Sequence, residues 1–101
     1  MAIAPGIDLS PAQLEQVRSL LHQHLPGIPV WAYGSRVKST ARPHSDLDLA
    51  LFSRPDQSLN VAALREAFDE SNLPFRVDCF VWNDIPESFR QNIQSHHIAI
   101  Q

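Results

Sequence analysis

One hundred and one residues with 44% apolar side chains and a formal net charge of -3 describe one globular domain, spanning 1–101, with a core large enough to fold alone and no room for a second. That balance excludes broad nucleic-acid binding, which draws on a basic surplus, and disorder, which goes with a far lower apolar content. The lone Cys79 excludes an internal disulfide framework, and no apolar run approaches the ~20 residues of a membrane span.

The opening Met-Ala-Ile-Ala-Pro-Gly has neither the basic nor the apolar region of a signal peptide, so a cytoplasmic protein is expected. Ser10-Pro11-Ala12-Gln13 then reads as a helix start, with Ser as N-cap, Pro in the first turn and Gln closing a capping box. Leu14, Val17, Leu21 and Leu25 recur at helical spacing with Leu20 beside them, until Pro26-Gly27 stops the helix. His22 and His24, two apart on a helix, face different directions and cannot share a metal.

The first strand is expected over 28–33. Gly34 then permits a tight turn and a close backbone approach, and Ser35 is placed to cap a short helix over 36–40 with free N–H groups at its start. A Gly-Ser pair alone is too common to signify a ligand. The loop that follows is more telling. Arg36, Lys38 and Arg42 are three of the eight cations, in a ten-residue stretch where chance would put about one, so the loop is locally positive inside an acidic chain. Each of the three is open between a solvated role and a phosphate contact. Ser45 and Thr40 read as loop caps.

The second strand is expected over 47–52. Side chains alternate along a strand, so Asp46 and Asp48 project the same way, roughly 7 Å apart at their Cα atoms, while Leu47, Leu49 and Leu51 face the core. Two acids on one face repel unless a cation or a substrate needs them. After a loop at 54–57, a helix over 59–70 buries Val61, Leu64 and Phe68, and Asn72-Leu73-Pro74 ends it. The third strand, 75–82, carries Arg76, Asp78, Phe80 and Trp82 on one face and Val77, Cys79 and Val81 on the other. Lying beside the second strand, it would bring Asp78 to Asp46 and Asp48. Cys79 reads as an inert small hydrophobe. A last helix over 86–95 is expected to turn Phe89 and Ile93 inward, and Ile98 and Ile100 either add a terminal strand or dock on a partner. His96 and His97 are adjacent rather than helically spaced, which speaks against a metal there. Trp31, Tyr33 and Trp82 are expected in core or rim rather than as base-stacking platforms.

Three carboxylates beside a Gly-Ser turn and a positive loop suit a divalent metal with a polyphosphate, since Mg²⁺ takes hard oxygen ligands completed by phosphate oxygens and water. Two ions could bridge at Asp46 and Asp48, with Asp78 holding one of them or serving as base. The nucleotide is expected at Gly34, Ser35, Arg36 and Ser45. A Walker P-loop is excluded, because no GxxxxGK[ST] exists. The plainer alternative is an ion cluster in which the acids pair with Arg36, Arg42 or Arg76.

Gly34-Ser35, ten intervening positions, Asp46-Leu47-Asp48 and the downstream Asp78 in Arg76-Val77-Asp78-Cys79-Phe80 resemble the GSx10DxD signature and third acid of the minimal nucleotidyltransferase family, within the DNA polymerase beta-like nucleotidyltransferase superfamily. Ala41-Arg42-Pro43-His44-Ser45 leads into the signature in the family's manner, Ser39 stands where many relatives carry Gly, and the likeness runs from the first helix to Ile100. The resemblance implies an α/β (α+β) fold, a small mixed sheet with helices packed on one face, as in the polymerase beta palm. It implies Mg²⁺-dependent transfer of a nucleoside monophosphate, AMP from ATP, with pyrophosphate released. It also implies an antitoxin that binds and nucleotidylates a HEPN-type toxin; the alternative is a binding module that neutralises its toxin by occlusion. Larger relatives carry further domains for the acceptor, so here a partner protein or homo-oligomer is expected to deliver it.

Overall fold

The structure is a computed structural model that describes residues 6–38, 41, 42 and 44–101. The expectations at Ser39 and Thr40 lie outside the described residues.

Helix α1 spans Pro11–His24 and begins as its sequence dictates: the Ser10 hydroxyl accepts from the Gln13 N–H, and the Gln13 side chain accepts from the Ser10 N–H. Two otherwise orphaned donors are thereby satisfied. Gly27, at φ +74, turns the chain out of the helix into β1, Val30–Tyr33. Strand β2 is Leu47–Leu51, helix α2 is Ser58–Asp69 after a single 3₁₀ turn at Pro55–Gln57, and β3 is Val77–Val81. A second 3₁₀ turn, Trp82–Asp84, leads to α3, Glu87–Ser95, and a two-residue strand β4, Ile98–Ala99.

The sheet order is β3-β2-β1-β4, with β1 antiparallel to both β2 and β4 and β2 parallel to β3. It is the small mixed sheet that was expected. Leu47, Leu49 and Leu51 are fully buried beneath α1 and α2, whose Leu14, Val17, Leu21, Val61, Leu64 and Phe68 complete the core. Burying each such leucine contributes about 2 kcal/mol. Helix α3 reaches the opposite, acid-bearing face, where Phe89 meets the Tyr33 ring at 6.0 Å and the Arg90 Nε donates to the Trp82 carbonyl.

One open alternative resolves here and one expectation changes: Ile98–Ala99 pairs with β1, so the terminal strand forms. Ile100 is 3% exposed, and its neighbourhood is tied down: the Ile100 N–H donates to the Val30 carbonyl, Arg18 Nε donates to the Ile100 carbonyl, and the Gln101 amide donates to those of Leu25 and Ile28. These bonds tie Ile100 and Gln101 to β1 and to the end of α1. Phe89, expected inside with Ile93, is 48% exposed: it shares Ile93's face of the helix, but one turn earlier that face lies over the Tyr33 ring at the edge of the core.

Candidate active site

Register places the acids. Asp48 stands opposite Tyr33 on β1 and beside Asp78 on β3, so one rung of the sheet carries a phenol and two carboxylates. Strands lie about 4.8 Å apart, which sets the Asp48 and Asp78 backbones at that spacing, and Asp46 precedes β2 on the same face. The three acids expected to share a surface do so.

Two of them are held by one cation. Arg76 Nη2 lies 3.1 Å from Asp46 Oδ2 and 3.3 Å from Asp78 Oδ2, and its Nε lies 3.1 Å from Asp78 Oδ1. These are exposed pairs and contribute little to stability, but they set side-chain direction. Arg76 is one of the three arginines that the ion-cluster alternative offered as partners for the acids. Asp48 is left to the others' repulsion: burial first, then Asp78 and Asp46, push its carboxyl up to about 6, with Arg76 only partly opposing. Tyr33 is pushed well above the ordinary phenol range, by burial first and then by Asp48 and Asp78.

Gly34 is required where it stands. Its φ is +86, and a Cβ there would sit 2.6 Å from Asp48 Oδ2. The missing side chain lets the carboxylate lie against the turn. The turn over 34–38 is closed by the Val37 and Lys38 N–H groups donating to the Gly34 carbonyl, a single turn in place of the short helix expected from Arg36 onward.

The loop cations separate. Arg36 is 5% exposed, stacked 4.2 Å over Phe75, and donates from Nε to the Ser45 carbonyl and from Nη1 to that of Asp8. Its guanidinium binds the loop to the body of the protein, away from the face where a nucleotide contact was expected. Ser45 also serves the loop, its hydroxyl accepting from the Arg42 N–H at 2.8 Å. Lys38 is exposed and lines a cleft of about 310 Å³ with Tyr33, Gly34, Asp48, Phe89 and Asn92. Ser35 stands next to that wall, half-buried. His96 completes the cleft, with its Nε2 2.9 Å from the Val37 carbonyl. Sequence reading missed the α3 contribution. Phe89 and Asn92 sit three apart, the spacing of one helix face, and that was the available signal; His96 follows the helix in extended backbone.

Cys79 points into the core, where burial pushes its thiol up to about 12, as suits an inert hydrophobe. Among the described residues no group of three or more His, Cys, Asp or Glu side chains is arranged to hold a metal, because Asp46 and Asp78 are turned onto Arg76. The chemistry of the donor set nonetheless suits a divalent ion: three carboxylates against one guanidinium leave two negative charges on hard oxygen ligands.

The rung of paired acids, the Gly-Ser turn and the cleft with its lysine thus come together on one side of the sheet. The family described as "Polymerase beta, Nucleotidyltransferase" matches residues 15–101, and the "Probable protein adenylyltransferase MntA" of Haemophilus influenzae is 44% identical over 96 residues, covering 94% of this chain and 84% of that protein. The chain belongs to the polymerase beta nucleotidyltransferase family, in its minimal nucleotidyltransferase branch, and is a nucleotidyltransferase. A solved structure described as "Crystal structure of the toxin-antitoxin with AMP-PNP" shares the fold, with a TM-score of 0.62 at 17% identity, over 87% of this chain and 72% of that one. No helix among the described residues is long and apolar enough to cross a membrane.

Proposed function

We propose that the protein transfers AMP from ATP to a hydroxyl group of a partner protein, a HEPN-type toxin that it thereby disarms as a cytoplasmic antitoxin. The observation that carries this reading is the rung on which Asp48 and Asp78 stand side by side, with Asp46 on the same face and the cleft opening at Gly34 and Lys38. The relative's description as a protein adenylyltransferase supports a protein acceptor, and the fold neighbour's description supports a toxin and an ATP-like ligand.

Asp46, Asp48 and Asp78 would hold Mg²⁺, two ions in the fullest form of the site, and when bound the metal neutralises triphosphate charge and polarises the phosphoryl oxygens. Asp46 and Asp78 must leave Arg76 to do so, which their exposed pairing makes inexpensive. Lys38 supplies a mobile positive charge to the phosphates, and Gly34-Ser35 gives backbone room beside them. Phe89 and Asn92 border the same cleft and offer a flat apolar edge and an amide to the nucleoside. The acceptor oxygen forms a bond to the α-phosphorus as the α–β anhydride bond breaks and pyrophosphate leaves. The acceptor's proton passes to a carboxylate oxygen of Asp78, which stands at the edge strand where a partner can approach.

The test is incubation with α-labelled ATP, Mg²⁺ and, as candidate toxin, the product of the neighbouring gene. Label on the toxin is expected with the native chain and none with Asp48→Ala. No label across the four common nucleoside triphosphates would overturn the catalytic reading. One observation favours a second reading, neutralisation by occlusion: Arg76 already occupies two of the three acids. A triple Asp→Ala variant that still disarmed the toxin would establish it.

A further inference from the structure

Strand β2 buries Leu47, Leu49 and Leu51 on its helix-facing side, and two residues further the same alternation brings Ser53. An apolar side chain belongs there. Ser53 is 5% exposed, and its hydroxyl has no hydrogen-bond partner among the described residues. No fully enclosed side-chain oxygen or nitrogen among them lacks a partner, so the Ser53 oxygen opens onto the space beside it.

That space is a cavity of about 320 Å³ walled by Ser53, Arg54, Ser58, Arg65, Asn83 and Asp84. It lies about 16 Å along the strand from Asp48, at the opposite end of the sheet from the acids. Ser58, Val61 and Arg65 are three and four apart on α2 and present one face to it, while Pro55 and Val81 add apolar wall. Arg65 spends its Nε and Nη2 on the Cys79 carbonyl, which fixes the guanidinium and leaves Nη1 unused, and Arg54 gives only its Nε to Asp56. Hydroxyl, amide and guanidinium donors thus converge from floor and rim, against one lining carboxylate, Asp84.

We infer that this cavity is a second binding site, for a phosphate group, with the Ser53 hydroxyl as the buried donor and Arg54 and Arg65 as its cations. A tetrahedral oxyanion can accept from several directions at once, as this donor set requires, and guanidinium groups pair with it well. Free inorganic phosphate and a phosphomonoester of a small molecule offer the same chemistry, and the apolar wall gives the ester more to touch.

The experiment is a titration of the ¹⁵N-labelled full chain with inorganic phosphate and, separately, glycerol phosphate, at constant ionic strength with chloride as control. Saturable amide shifts are expected around residues 53–58 and 81–84 under conditions that leave the amides of Asp48 and Asp78 in place. Tighter binding of the ester would assign the site to a phosphorylated small molecule, and equal binding to the free anion. Ser53→Ala should weaken binding at least fivefold with thermal unfolding unchanged or improved. Should that variant unfold, Arg54→Gln, at an exposed side chain, gives the same reading. Shifts that never saturate, or variants that bind like the native chain, would overturn the site. ATP turnover plays no part in the readout, so its outcome is separate from that of the nucleotidyl-transfer reading.

Discussion

Strand β2 serves two masters. Toward α1 and α2 it shows Leu47, Leu49 and Leu51, all fully buried; toward the other side it shows Asp48, preceded by Asp46, with a carboxyl driven to about 6. Adjacent residues of one five-residue strand thus sit in opposite environments. One face is closed and favourable, and the other carries carboxylates that repel one another. The difference teaches where stability and chemistry reside. Folding free energy comes from the leucine face, while the acid face is held open at some cost by the rest of the domain.

Substitutions should pull the two faces apart. The largest effect belongs to Asp48→Ala, which should lower nucleotidyl transfer at least about 1,000-fold, roughly 4 kcal/mol, with no loss of folding stability. Radiolabel transfer and chemical unfolding measured on one preparation check both halves, and a destabilised variant would contradict the division. Leu49→Ala should do the reverse: about 3 kcal/mol of stability is lost from a fully buried site, while the transfer rate per folded molecule stays within about twofold. Urea titration with activity measured well below the midpoint separates these. Gly34→Ala tests the junction, since its Cβ would enter the Asp48 carboxylate and its φ is left-handed. It should cost about 1–2 kcal/mol of stability and at least tenfold in rate, a loss on both faces that neither of the first two shows.

Much of this was legible from residue order, for definite reasons. The capping box at Ser10, the leucine alternation in β2 and the strand face that carries Asp78 each follow from local periodicity, which one chain displays completely. What escaped was decided by contacts distant in sequence. Arg36 looked like a phosphate ligand because cations cluster in its loop, yet Phe75 and the Asp8 and Ser45 carbonyls claim it for the interior. Phe89 looked like core because it is aromatic and four residues from Ile93, yet the cleft takes it. Arg76 shares a strand face with Asp78, and that much was visible. Its reach back to Asp46 depended on the β2–β3 register, which no spacing within one segment reveals.

The smallest expected effect is the sharpest probe of the acid face, because it reads Asp48 without any turnover. A carboxyl whose folded value of about 6 exceeds its ordinary 3.8 binds its proton more tightly in the native state. Its favourable contribution is therefore complete below about pH 3.8 and is lost as pH rises through about 6. A shift of this size corresponds to about 3 kcal/mol in full, and solvent screening at a half-open site reduces it to about 1–2 kcal/mol. Asp48→Asn removes that dependence. In chelator-treated buffer its stability advantage over the native chain should grow between about pH 4 and 6 and then level off, as measured by urea unfolding at fixed ionic strength. Adding Mg²⁺ at pH 7 should then close the gap by stabilising the native chain alone, since only that chain keeps the full set of carboxylates. A gap that is flat with pH would mean that neither burial nor the neighbouring acids raise the Asp48 carboxyl, and the contrast between the two faces of β2 would fail.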